Sequence, residues 1–437
     1  MRAITALFVF FSAAVAAPPL FEQTGFQTSA DGSPAGWKSW SPRPEIAPRT
    51  FVDAVHFRKR PGSLAVSGNS RVGVFGGWEY DAKGIEPGKW YRLVAHYRSE
   101  GLDYEPLQVW ARLDWRSSAG RRTGQPDYGY RVTRDGEWNR ITLEAPAPEK
   151  ASGAAIQLFL LNAPNATLYW DDVSLTQIEK PGPRNVRVAS INHRPKQQPS
   201  SAAAVHSFLD YVEKAVGEAD LIVLPEGITV VGTGLKYADV AEPLPGPTTK
   251  ALGELARRKN SYIVAGLYER EDTTIYNTAV LIDRQGQLAG KYRKVYLPRE
   301  ETEGGITPGS DYPVFQTDFG TLGMMICWDV QYADPARALA LRGAEMILLP
   351  IWGGNETLAK ARAIENQVYL IASGYDHPTY IMDPDGEMLS KASTLPGVAS
   401  ATIDLNRRYQ DRWLGDMKAR LWKELRLDTA VDPPGRK

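Results

Sequence analysis

Three residues of different chemistry stand where strand-like segments end, two of them after apolar runs and one in a hairpin. Glu226 follows Leu221-Ile-Val-Leu-Pro225, Lys294 follows Gly290-Lys-Tyr-Arg293, and Cys327 ends Gly320-Thr-Leu-Gly-Met-Met-Ile326, just before Trp328-Asp329. A thiol is a modest nucleophile until it loses its proton, so it needs a neighbouring base or positive charge. A partly buried carboxylate tends to hold its proton more tightly, which suits it to carry one proton in both directions. A lysine ammonium offers a compact charge for an oxyanion, alongside the backbone N–H that follows the nucleophile. Together the three types make a base, a stabiliser and a nucleophile. Each also has a plain structural reading: a strand-end carboxylate, a member of a basic hairpin with Lys291 and Arg293, and a small core hydrophobe.

The elements around them alternate. Val186 to Ile191 is apolar and β-branched, and Val205, Leu209, Val212 and Val216 recur at helical spacing within 200–217. Leu221 to Leu224 is a continuous apolar run, as in a strand buried on both faces. A helix over 248–259, a strand from Tyr262, and a hairpin flanking Arg284-Gln285-Gly286 follow. Leu322 to Ile326 and Met346 to Leu349 read as further strands, with a helix over 334–342 between them. This is an α/β layered domain, and in open α/β folds ligands gather at the carboxyl ends of strands.

The three segments in this order resemble the carbon–nitrogen hydrolases of the nitrilase superfamily. The likeness runs over about residues 185–430 and takes in Asp334-Pro-Ala-Arg337, Arg342-Gly-Ala-Glu-Met-Ile-Leu-Leu-Pro350 and the hairpin motif Ile381-Met-Asp-Pro-Asp-Gly386. The resemblance implies an α/β four-layer αββα sandwich. It implies hydrolysis of an amide, N-carbamoyl compound or nitrile through a Cys thioester, without a cofactor. It makes Glu226 the general base, Lys294 the stabiliser and Cys327 the nucleophile, with the Trp328 backbone N–H completing the oxyanion site. A second active-site carboxylate belongs on the loop after the Lys, where Glu300, Glu301 and Glu303 are candidates and Glu303 is preferred. The family often has His two positions after the Lys, where this chain has Tyr296. Some relatives that act on N-carbamoyl amino acids place Arg shortly after the Cys to hold a carboxylate. Val330, Gln331 and Tyr332 stand here, which implies a weak preference for carboxylate-bearing substrates. A homodimer or higher oligomer is also implied.

The first half has another character. Eight of the twelve Trp precede residue 180, whereas every Met except Met1 follows residue 320. Leu107, Val109, Ala111, Leu113 and Trp115 alternate with Gln108, Trp110, Arg112 and Asp114, and Tyr91, Leu93, Ala95 and Tyr97 with Arg92, Val94, His96 and Arg98, so this half reads as an antiparallel β-sandwich. Its opening Asp31-Gly-Ser-Pro-Ala-Gly-Trp37, the Asp135-Gly-Glu-Trp138 turn and the closing Trp170-Asp-Asp-Val-Ser-Leu175 resemble jelly-roll carbohydrate-binding modules. That resemblance implies a glycan partner. Trp110 is a candidate stacking platform, and Asp171-Asp172 a candidate pair of Ca²⁺ ligands beside the plainer reading of a solvated strand end. Lys180-Pro-Gly-Pro183 punctuates the two halves. The expected organisation is a signal peptide over 1–16, the β-sandwich over 18–179, a linker over 180–184 and the hydrolase domain over 185–437.

Composition narrows the function classes. The chain of 437 residues carries 51 Lys plus Arg against 51 Asp plus Glu, with 43% hydrophobic residues. That is a folded protein, and a neutral balance without a basic stripe argues against nucleic acid as the partner. One Cys excludes an intramolecular disulfide and a thiolate zinc cluster. The five His are scattered without metal spacing, and a Cys–His dyad with His377 has no local signature. Met1-Arg2, the apolar run Ile4 to Ala13 and Ala14-Val-Ala16 form a secretory signal, too short for the roughly 20 residues that span a bilayer. The expectation is an exported protein, periplasmic or extracellular, with no membrane span.

Overall fold

The computed structural model describes residues 18–28, 33–427 and 429. The expected signal peptide over 1–16 and part of the Asp31 to Trp37 motif lie outside the described residues. The chain divides into two compact units, one of residues 182–409 and one of residues 1–181 together with 410–437.

In the unit 182–409, two six-stranded sheets share one core. The first runs Leu288–Arg293, Thr274–Ile282, Tyr262–Glu271, Leu221–Val223, Asn185–Asn192 and Gly397–Asp404 in spatial order. The second runs Val314–Gln316, Thr321–Met324, Met346–Pro350, Tyr369–Ser373, Tyr380–Met382 and Met388–Lys391. Val188, Val223, Val264 and Leu281 from the first sheet form one buried cluster with Leu322, Met324, Leu348 and Ile371 from the second. Alternate residues of the central strands point to the opposite face of each sheet. Ile222, Ile263 and Ala265 there meet Phe208, Val212, Leu252 and Leu255 of helices Ser201–Ala215 and Pro247–Lys259. On the second sheet, Ile347, Leu349 and Leu370 meet Ala336, Leu339, Ala359 and Ala363 of helices Asp334–Leu341 and Glu356–Asn366.

Local chemistry sets the helix limits. The Ser200 hydroxyl accepts from the Ala203 N–H at 3.2 Å and starts the first helix, as an N-cap should. Asn260 takes left-handed backbone (φ 50°) and ends the second.

Leu221–Val223 is parallel to both neighbours, and Thr321–Met324, Met346–Pro350 and Tyr369–Ser373 are mutually parallel. Parallel strands deliver their C-terminal ends to one side, and those ends lead into Glu226, Cys327, Trp352 and Tyr375.

The other unit holds sheets of seven and five strands and a two-stranded ribbon, Gln410–Asp411 with Gly415–Asp416, and their strand pairings are antiparallel. Tyr91, Leu93, Ala95, Tyr97, Val109, Ala111, Leu113 and Trp115 all enter its core, as the alternation indicates. Residues 105–108 form a helical turn, so the strand begins at Val109. The expected hydrolase domain ran to residue 437. In the structure the chain from Gln410 returns to the β-rich unit, where the Lys423 ammonium is buried and donates to the Val109 carbonyl at 2.9 Å.

Candidate active site

Glu226 leaves the strand Leu221–Val223 through a turn in which Gly227 has φ 61°. A Cβ on Gly266 of the next strand would stand 2.7 Å from the Glu226 Cα, so only glycine allows this approach. The Glu226 carboxylate is buried. Its Oε1 accepts from Lys294 Nζ at 3.0 Å and from Asn277 Nδ2 at 2.7 Å, while Oε2 has no hydrogen-bond partner.

Lys294 follows the hairpin strand Leu288–Arg293 and is 1% exposed. Its backbone N–H donates to Asn277 O at 2.9 Å and its carbonyl accepts from Gly309 N at 2.8 Å. The ammonium lies 3.0 Å from Glu226 and 2.9 Å from Glu301 Oε2. Burial pulls its pKa down, but the charges of Glu226, Cys327 and Glu301 outweigh burial and raise it above the ordinary lysine range.

The structure answers which loop carboxylate joins the site, and it is not the preferred one. Residues Arg299–Glu303 form a five-residue helix. Glu301 turns inward and is 4% exposed, whereas the Glu303 side chain is 70% exposed beside Arg299. Glu300 also faces solvent, paired with Arg299 at 3.2 Å. Successive helical residues are about 100° apart, so one carboxylate of the three points in and its neighbours point away. Burial raises the Glu301 pKa, with Lys294 opposing.

Cys327 follows the strand Thr321–Met324 and opens a short 3₁₀ turn, Cys327–Gln331. Its φ of 44° is left-handed, a conformation that costs a non-glycine residue energy and that the surroundings must hold. Asp329 is what holds it. Its buried carboxylate accepts from Ile326 N at 2.9 Å, Tyr296 N at 2.9 Å and the Tyr292 hydroxyl at 2.7 Å. Thus Tyr296 meets the turn through its backbone, and its hydroxyl donates to Asp334 at 2.9 Å. The partly buried thiol lies 3.5 Å from the Gly353 carbonyl. Burial pushes its pKa up to about 12, the charge of Glu226 adds to this, and Lys294 opposes it. Trp328 is 38% exposed.

One buried polar residue and one pair of aromatic walls escape sequence reading. Asn277 is fully buried, and its Nδ2 spans Glu226 Oε1 at 2.7 Å and Glu301 Oε1 at 2.6 Å. A polar residue inside the apolar run Thr274–Ile282 was its only signal. Aromatic walls are the other: a Cβ on Gly227 would meet Tyr268 at 3.4 Å and Trp352 at 3.9 Å.

Residues singled out elsewhere do not converge here. His377 is buried with Nδ1 2.9 Å from the Pro378 carbonyl. Asp171 is saturated by four backbone N–H groups, those of Gly25, Arg58, Lys59 and Asp172, at 2.7–3.0 Å. Both of its oxygens therefore face donors, and the pair does not form a calcium cage. Among the described residues no group of three or more His, Cys, Asp or Glu side chains has the geometry to hold a metal. Arg112 lies over the Trp110 ring at 5.2 Å, and Phe75 and Tyr128 meet that ring edge-on, so Trp110 is not an open stacking platform.

The family model for carbon-nitrogen hydrolase matches residues 187–412, more than half of the chain. The chain belongs to the carbon–nitrogen hydrolase family. It is an enzyme that hydrolyses carbon–nitrogen bonds. This hydrolase is 34% identical over 221 residues to a probable nitrilase of Schizosaccharomyces pombe, covering 46% of this chain and 81% of the relative. It is 29% identical over 230 residues to an omega-amidase of Homo sapiens, covering 46% and 82%. Among solved structures, Nit3 of Saccharomyces cerevisiae aligns with a TM-score of 0.46 at 24% identity, covering 50% of this chain and 90% of that one. An amidase from Nesterenkonia sp. AN1 aligns with a TM-score of 0.46 at 24% identity, covering 52% and 92%. Among the described residues, no helix is long and apolar enough to cross a membrane.

Proposed function

We propose that the chain is an exported amidase working through a Cys327 thioester, on a four-layer αββα scaffold. The observation that carries this is Lys294, enclosed between Glu226 and Glu301 at 3.0 and 2.9 Å and acting electrostatically on Cys327. Sγ attacks the amide carbon while the thiol proton passes to Glu226. The oxyanion is met by Lys294 Nζ and the Trp328 N–H, donors set in place before charge develops. Collapse breaks the C–N bond, and ammonia leaves with the proton from Glu226. Water then attacks the thioester, Glu226 takes its proton, and that proton returns to sulfur as the carboxylic acid departs. Glu301 and Asn277 keep Lys294 charged and Glu226 in position.

The test is ammonia release by the purified enzyme from butyramide, with Cys327→Ala as control and trapping of the acyl-enzyme by mass spectrometry. Release by Cys327→Ala equal to that of the parent overturns the mechanism. The probable nitrilase among the relatives makes nitrile hydrolysis the second reading, and parallel assays with butyronitrile decide between them.

For the β-rich unit we infer a jelly-roll module that binds glycan. A cleft of about 710 Å³ lined by Lys38, Trp40, Glu79, Asp81, Arg116 and Ser117 supports this better than Trp110 does. Retention of this unit on a glycan array, lost in Trp40→Ala, is the test. Export is checked by N-terminal sequencing of the secreted protein, with cleavage after residue 16 expected. A dimer or higher oligomer is checked by light scattering.

A further inference from the structure

We infer that Asp329 and Tyr292 are positioning residues for the hydrolysis: their hydrogen bond ties the hairpin that carries Lys294 to the turn that carries Cys327, and so sets the oxyanion-binding ammonium against the nucleophile. This rests on the amidase reading above and goes beyond it, because both residues act through others.

The two groups that must be aligned belong to different sheets. Lys294 follows Leu288–Arg293, an edge strand of the first sheet, and its N–H donates to the Asn277 carbonyl of the neighbouring strand at 2.9 Å. Cys327 follows Thr321–Met324 of the second sheet. Apolar side chains such as Val264, Leu281, Leu322 and Met324 pack between the sheets. Apolar burial is strong but non-directional. It brings the sheets together without fixing the offset between an ammonium and a sulfur. Catalysis is sensitive to that offset, since a misplacement of about 1 Å costs about 10²-fold in rate. Directional bonds have to supply the register.

Asp329 supplies them in two directions. Toward its own turn, Oδ2 accepts from Ile326 N at 2.9 Å, and the Asp329 N–H donates to the Ile326 carbonyl at 3.0 Å, closing a loop around Cys327. Toward the hairpin, Oδ2 accepts from the Tyr292 hydroxyl at 2.7 Å and Oδ1 from Tyr296 N at 2.9 Å. Tyr292 and Tyr296 stand two positions before and two after Lys294, so one carboxylate holds the hairpin on both sides of the lysine. The Val295 N–H donates to the same Tyr292 hydroxyl at 3.3 Å, which draws this stretch around the phenol. Tyr292 is buried with its ring in the cluster shared by the two sheets, and Asp329 is buried as well, so water does not compete for these bonds. Burial raises the Asp329 pKa, while the bonds from Ile326 and Tyr292 and the charge of Lys294 oppose it.

The experiment measures three quantities for the parent, Tyr292→Phe and Asp329→Asn: kcat and KM on butyramide, the inhibition constant of butyraldehyde, and the rate of iodoacetamide labelling at pH 7. With the aldehyde, Sγ adds to the carbonyl carbon, the π pair moves to oxygen and the thiol proton passes to Glu226, so the adduct carries the oxyanion without a leaving group. Iodoacetamide loses iodide from a saturated carbon and forms no oxyanion, so it reads the thiol alone. Tyr292→Phe should lower kcat about 10-fold and raise the butyraldehyde constant by a similar factor, with KM and labelling within about twofold. Asp329→Asn sets an amide NH₂ against at least one of the three donors and should cost about 10²-fold in kcat. Unchanged kcat and butyraldehyde constant in Tyr292→Phe overturn the assignment. Labelling that falls as far as kcat in Tyr292→Phe overturns it too, because the pair would then hold the thiol and not its alignment with Lys294. A parent enzyme that binds butyraldehyde at Cys327 but releases no ammonia from butyramide overturns the amidase reading, and the butyraldehyde constants then decide the alignment by themselves. A parent enzyme that does neither overturns both.

Discussion

Lys294 Nζ stands 2.9 Å from Glu301, the one carboxylate of the Arg299–Glu303 helix that faces inward. With Glu226 on its other side, the lysine is a buried cation held by two buried anions, and removing one partner of such a set leaves uncompensated charge.

The first consequence separates Glu301 from Glu303. Glu301→Gln should lower kcat by about 10²-fold or more, since it weakens the grip on Lys294 and on Asn277 together. Glu303→Gln changes a solvent-exposed side chain and should leave the rate within about twofold. Steady-state rates on one amide decide. A loss in Glu303→Gln with Glu301→Gln spared would reverse the assignment.

The second contrasts the hairpin lysines. Lys294→Ala should lower turnover by about 10²–10³-fold, and Lys294→Arg should recover little, because a forked guanidinium does not fit a space shaped for an ammonium. Lys291 instead pairs with buried Glu269 at 2.5 Å, which Arg293 also holds at 2.6 and 3.0 Å. Because Arg293 remains, Lys291→Ala should cost less than about twofold in rate. Full activity in Lys294→Arg would remove the lysine from the oxyanion site.

The main elements are legible from their apolar periodicity, and Glu226 and Cys327 stand out because apolar runs end at them and parallel strands carry those ends onward, whereas Lys294 is marked by its hairpin. The inward Glu was not. Glu300, Glu301 and Glu303 differ only by the rotation of one short helix, and that rotation is set by tertiary contacts such as Asn277, whose own role needs two strands and a loop to appear. The return of the C-terminal segment to the β-rich unit likewise depends on one buried contact, Lys423 to Val109, that no local pattern announces.

A third prediction concerns the thiol. With its pKa pushed to about 12, chiefly by burial, Cys327 is protonated at neutral pH and needs Glu226 to take its proton. Iodoacetamide should therefore label Glu226→Gln about tenfold more slowly than the parent at pH 7. The same substitution removes a negative charge that raises the thiol pKa, so above about pH 10 the variant should label faster. Curves of labelling rate against pH that never cross would contradict this account.

The last prediction follows from Lys423. Its ammonium is buried on helix Met417–Glu424, and burial lowers its pKa to about 8, with Glu105 opposing. An unfolded lysine titrates near pH 10.4. Between these values the undocked segment binds more protons than the docked one, so docking strengthens as pH rises from about 8 to 10.4 and is constant below that window. Amide exchange in 417–424 should slow accordingly over this range, beyond the intrinsic acceleration by hydroxide. Lys423→Met keeps the length of the side chain and removes the charge. It should protect the helix at pH 7 and abolish the pH dependence of docking. Protection that stays flat between pH 8 and 10 in the parent would mean that Lys423 keeps its proton when docked, with Glu105 offsetting burial.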